Sequence, residues 1–98
     1  MIIEKKLNGD ELVIALTGRL DTVTSPELET ALKGDLDNVK KLVFDLEKLE
    51  YLSSAGLRVL LATQKLMNKQ GEMVVRNSSD ATKEIFDITG FSDILTLE

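Results

Sequence analysis

The segment Leu52-Ser53-Ser54-Ala55-Gly56-Leu57 brings together the groups in this chain best placed to do chemistry. Its two hydroxyls fall between a strand-like apolar run and the start of the longest helical pattern. In open α/β sheets, sites gather at the carboxyl ends of strands. A hydroxyl there lies beside unpaired backbone N–H groups and the positive end of a helix dipole. One serine is explained by an N-cap alone, which stabilises by about 1 kcal/mol. A second serine and a glycine in the same turn suggest a further use. Gly56 would let a backbone or a phosphate approach closely. A phosphate on Ser54 would meet helix-terminal N–H groups and add about 1.5 to 2 negative charges.

A nucleophilic serine is the competing reading, and the residues around it disfavour it. The chain has no His and no Cys, so it offers no Ser-His dyad, thiolate, disulfide or imidazole metal ligand. The G-x-S-x-G pattern of a nucleophile elbow is absent, because Leu52 stands two residues before Ser54. There is no glycine-lysine phosphate loop. We therefore expect no enzyme activity, no cofactor and no metal. The net charge of −5 repels phosphate backbones and anionic lipid. Neither nucleic-acid binding nor membrane insertion is expected, and no apolar run is long enough to span a bilayer. Met1 to Asp10 lacks the layout of a signal peptide, which points to a cytoplasmic protein, expected as a monomer when free.

A second cluster is Gly18-Arg19-Leu20-Asp21-Thr22. Asp21 and Thr22 suit a turn that closes a strand. If the strand before it runs parallel to the one before Ser53, Asp21 and Ser54 share one sheet edge. A carboxylate there could hold a serine hydroxyl or repel its phosphate.

The elements that must position these groups follow from patterning. Ile2 to Leu7 and Glu11 to Thr17 read as a hairpin across Asn8-Gly9-Asp10, with Gly18 closing the second strand. Thr24 or Ser25 can cap a short helix that has Pro26 in its first turn and stops at Gly34. Lys41 to Leu46 reads as a central strand buried on both faces. A helix from Ser53-Ser54 to about Gln70, a strand Glu72 to Arg76, a helix Ala81 to Thr89 and a last strand or tail from Asp93 to Leu97 complete the order. Strands alternating with helices imply parallel crossovers. Residues 1–98 thus read as one α/β domain, a mixed sheet of four to five strands packed with helices. On the long helix, Val59, Leu60, Thr63, Leu66 and Met67 share one arc, which should face the sheet. Leu57 and Leu61 lie off it, so Leu57 is expected to be exposed beside the modifiable serine and to form a docking surface. Leu61 divides evenly between docking and packing.

Taken together, these segments resemble a STAS domain of the anti-sigma factor antagonist family. The resemblance is carried by Gly18-Arg19-Leu20-Asp21, Leu42-Val43-Phe44-Asp45-Leu46, the run from Tyr51 to Leu61, and Ile85-Phe86-Asp87-Ile88-Thr89-Gly90-Phe91. It implies a bacterial partner-switching role in transcription. An unphosphorylated member binds a serine-kinase anti-sigma factor and frees the sigma factor. The kinase phosphorylates a serine at this turn and releases the antagonist, and a PP2C-type phosphatase restores it. Aligning Gly56-Leu57 puts that serine at Ser54. The family often carries Asp just before it, where this chain has Ser53, so Ser53 is the alternative acceptor. In the family, Asp21 matches a shared acidic position and Leu57 a position at the kinase interface; with the reading of the residues above, the expected partner-binding set is Asp21, Thr22, Ser53, Gly56, Leu57 and Leu61. The competing role is a STAS subunit of a non-sigma assembly, such as a lipid-transport ATPase or a stress-signalling complex. A small nucleotide-binding or hydrolytic protein is the third.

Overall fold

The structure, a computed structural model, describes residues 1–98. Asn8-Gly9-Asp10 reverses the chain between β1 (Ile2–Asn8) and β2 (Glu11–Leu20), which pair antiparallel from Asn8 opposite Glu11 to Ile2 opposite Thr17. The chain then alternates helix and strand: α1 (Ser25–Leu32), β3 (Lys41–Leu52), α2 (Ser54–Met67), β4 (Glu72–Arg76) and α3 (Asp80–Thr89). A 3₁₀ turn at Phe91–Asp93 follows, and Leu97 bridges Val75 in parallel on the outer edge of β4. The expected last strand is therefore a single bridge.

The sheet order is β1-β2-β3-β4, with β2, β3 and β4 parallel. Each crossover joins neighbouring strands in the same direction. Right-handed connections then lay α1, α2 and α3 side by side on one face. The core agrees: Leu28 of α1, Leu60 of α2 and Phe86 of α3 share one cluster with Ile14, Phe44 and Val75 of the strands. Val43 and Val74 are also buried but stand outside that cluster, on the helix-free face. The centre of β3 is therefore covered on both sides, as its unbroken apolar run predicts.

Two strands extend beyond their expected ends. β2 does not stop at Gly18 but passes through it to Leu20; Gly18 carries a φ of 101°, open to glycine at no steric cost. β3 does not stop at Leu46 but continues to Leu52. Its register against β2 slips twice, from Ala15–Asp45 to Thr17–Lys48 and from Gly18–Leu49 to Arg19–Tyr51. Each slip inserts one extra residue into β3, a β-bulge. Asp45 Oδ1 accepts the Glu47 N–H at 3.1 Å across the first. The bulges carry β3 up to the level where β2 turns into Asp21.

Candidate functional site

Leu20 and Leu52 are Cα partners at the last rung of the β2–β3 ladder. The Ser53 N–H donates to the Leu20 carbonyl at 2.9 Å, so Asp21 and Ser53 leave the sheet from adjacent positions at its carboxyl end. The parallel pairing thus brings the two sequence clusters to one edge.

The two serines have different surroundings. Ser53 is half-buried in extended conformation, and its hydroxyl accepts the Gly56 N–H at 3.4 Å as the N-cap of α2. Ser54 is the first residue of the helix and is exposed. With Ser53 serving as the cap, the Ser54 hydroxyl keeps no partner in the chain and faces solvent at the positive end of the helix dipole.

Gly56 does not open a path for a phosphate. It is buried, and a Cβ there would stand 2.8 Å from Leu20 Cγ and 2.8 Å from Leu52 Cδ1. Its lack of a side chain lets α2 settle onto the last rung of the sheet. The open approach expected at Gly56 is corrected to close packing.

Leu57 is corrected in the same way. It is 5% exposed and belongs to the core cluster, not to the surface. The buried arc of α2 runs through Gly56, Leu57, Val59, Leu60, Thr63, Gln64 and Met67. It is turned toward Leu57 by roughly 40° from the arc read in the sequence, at about 100° per residue. Leu66, placed on the core face by that reading, is exposed. The Leu57–Gln64 side of α2 is closed off as well as its sheet side. Leu61, next on that side, is half-buried.

Asp21 does not hold a serine side chain. Its Oδ1 accepts the N–H groups of Val23 and Thr24, each at 3.0 Å, and the Thr24 hydroxyl at 3.2 Å. The single Thr24 hydroxyl proton is shared between that oxygen and the nearer Arg19 carbonyl at 2.7 Å, and the hydroxyl oxygen accepts the Asp21 N–H at 2.8 Å. These bonds fix a tight turn that presents Thr22 and Val23 to solvent, with Val23 77% exposed. The Thr24 backbone N–H chiefly holds the Asp21 carboxyl below the usual carboxylate range; partial burial opposes it, and the Thr24 hydroxyl, the Val23 N–H and Arg19 add to it.

Sequence reading missed Tyr51 as part of this edge. Its ring is 43% exposed, and the Arg19 guanidinium lies 4.4 Å from its centroid. Arg19 Nε is also 3.6 Å from Asp21 Oδ2. Tyr51, Arg19 and Asp21 therefore form a continuous row beside Ser53 and Ser54. The sequence held no sign of the row without the bulge that puts Arg19 opposite Tyr51. A groove of about 480 Å³ runs away from this edge between α1 and α2, floored by Leu32, Leu36 and Val59, with Arg58 on its rim. No group of three or more acidic side chains is placed to hold a metal ion, and no helix is long and apolar enough to cross a membrane.

The family model for the STAS domain matches residues 3–98. The chain is 38% identical to BtrV of Bordetella bronchiseptica, over 91% of this chain and 78% of that protein. It is 34% identical to the anti-sigma-B factor antagonist of Listeria monocytogenes, over 96% of this chain and 84% of the relative. The unphosphorylated form of the anti-sigma factor antagonist SpoIIAA superposes with a TM-score of 0.85 at 17% identity, over 99% of this chain and 88% of that one. The phosphorylated form of the Bacillus SpoIIAA gives 0.70 at 18% identity, over 99% and 91%. The order of strands and helices, the span of the family match and the named relatives agree, and the chain belongs to the STAS domain family.

Proposed function

We propose that this chain is an anti-sigma factor antagonist that binds a serine-kinase anti-sigma factor when unphosphorylated and is released by phosphate transfer to Ser54. The observation that carries the reading is the division of labour between the serines. Ser53 takes the structural task of capping, and the exposed Ser54 hydroxyl stays available. The relatives named as anti-sigma factor antagonists support the partner class. A neighbour of the same fold that exists in phosphorylated form supports the switch.

The chain supplies the acceptor and the docking face, and the kinase supplies ATP, Mg²⁺ and the base. The Ser54 oxygen attacks the γ-phosphorus, the new O–P bond forms as the β–γ bridge breaks, and the hydroxyl proton passes to the kinase's base. ADP leaves. The docking face comprises Ser54 with the rigid Asp21–Thr24 turn, whose exposed tip is Thr22 and Val23. Added charge at a desolvating contact weakens it, and a loss of about 3 kcal/mol lowers affinity more than a hundredfold. A PP2C-type phosphatase would reset the protein.

The test is incubation with the cognate kinase and ATP, followed by mass spectrometry. Phosphate on Ser54, with loss of the complex, is the expected result. Phosphate only outside the Ser53–Ser54 turn defeats the assignment. Recovery of a transporter ATPase in place of a kinase by pull-down would assign the domain to a non-sigma assembly.

A further inference from the structure

Ser54 and Arg58 lie one turn apart on α2, and both are exposed. Residues four apart on a helix have Cβ atoms about 5–6 Å apart. Long helical side chains lean toward the N-terminus, so the Arg58 guanidinium can reach over the turn that carries the Ser54 hydroxyl. Arg58 is in none of the chain's ion pairs, which engage Lys5, Arg19, Lys41 and Arg76. The charges across the groove from it are Glu29, Lys33 and Asp37 on α1 and the loop that follows. At the end of β2, Arg19 is already engaged by Asp21 and Tyr51. Of the two arginines flanking the serine turn, Arg58 is the uncommitted one.

Resting on the reading that Ser54 accepts phosphate, we infer that Arg58 is the built-in counter-ion of that phosphate. An acid at position i with a base at i+4 is the favourable orientation on a helix. A guanidinium fork matches two phosphate oxygens, and the first N–H groups of α2 supply further donors. Phosphorylation then alters the docking face twice. It adds a dianion, and it folds inward a cation that an acidic patch on a partner would otherwise meet.

The test needs no kinase. Full-length chain with phosphoserine at position 54 is made by peptide ligation, and its phosphate is titrated by ³¹P NMR. The second pKa of a phosphoserine is ordinarily about 6. Arg58→Ala raises it by about 0.3 pH unit or more relative to the otherwise unaltered chain, Arg58→Lys recovers part of the difference, and Arg19→Ala changes it less than Arg58→Ala does. Thermal melts of the unphosphorylated variants confirm that each is folded. Identical titrations for Arg58→Ala and the unaltered chain overturn the inference, as does a larger shift from Arg19→Ala. A kinase that leaves Ser54 unmodified would defeat the functional proposal without moving this titration, so the two failures are distinguishable.

Discussion

Arg19 lies with its guanidinium 4.4 Å from the centre of the Tyr51 ring, and the two residues are Cα partners across β2 and β3. The pair stands directly below the turn at Asp21 and the serines at the head of α2. An exposed contact of this kind contributes about 0.5–1 kcal/mol. Its larger effect is orientation, because it fixes Arg19 where its Nε also meets Asp21.

Tyr51→Ala should therefore cost the fold little, about 1 kcal/mol or less, in urea titration. It should free Arg19, lower the order of the Asp21–Thr24 turn, and weaken capture of the anti-sigma factor. Unchanged binding in a surface-plasmon assay would remove this row from the docking face.

Ser53→Ala and Ser54→Ala should separate cleanly. Loss of the cap lowers stability by about 1 kcal/mol, whereas truncating the free hydroxyl stays within about 0.5 kcal/mol. Kinase and ATP should still modify Ser53→Ala and should leave Ser54→Ala unmodified while it continues to bind. Thermal melts and intact-mass spectra read both halves.

Leu57→Ala should behave as a core truncation. Removal of a 5% exposed leucine in the main cluster should cost about 2–4 kcal/mol and lower the melting temperature by roughly 10 °C or more. A small shift in melting temperature would return Leu57 to the surface.

Gly56→Ala should destabilise although alanine is the better helix former. The new Cβ would meet Leu20 and Leu52 at 2.8 Å. Overpacking costs about 1–3 kcal/mol, against about 1 kcal/mol gained in helix propensity. A rise in melting temperature would show that the head of α2 has room to shift.

Asp21 should make stability depend on acid. Its folded pKa lies below the ordinary 3.8, so its contribution is fully present above that value and is lost as pH falls through the folded value. Asp21→Asn should differ from the parent at neutral pH and converge with it in strong acid. The amides of Val23 and Thr24 should lose hydrogen-exchange protection in the variant. Parallel stability curves at all pH values would contradict the bonding drawn for this turn.

The fold class was legible because its elements obey simple periods. The run Lys41–Leu46, the Asn8-Gly9-Asp10 turn and the glycine at the end of α3 each say one thing at every level. The upper half of β3 was not legible, for a specific reason. Its inward residues are Leu46, Leu49 and Leu52, because each bulge adds a residue and stretches the period from two to three. That spacing is the one a helix would show, so alternation gave no sign of a strand. The serine turn could be found from residue types alone. Which serine caps and which is free depended on where α2 begins, and the burial of Leu57 depended on its neighbours across the helix layer. Neither is a local property.

The double bulge in β3 also marks two places where the strand can lose a residue and keep its pairing. Removing Glu47 or Glu50 would take out the extra residue of a bulge and leave the rungs above it in register, with Lys48 still opposite Thr17, Tyr51 opposite Arg19 and Leu52 opposite Leu20. Short insertions should be tolerated at the exposed Gly34 after α1, ahead of the buried Leu36 and Val39. A single deletion at either bulge would give a straighter limb that still folds around Phe44 and still ends on Leu52, so the serines are anchored by the rung they follow and not by the residue count beneath them.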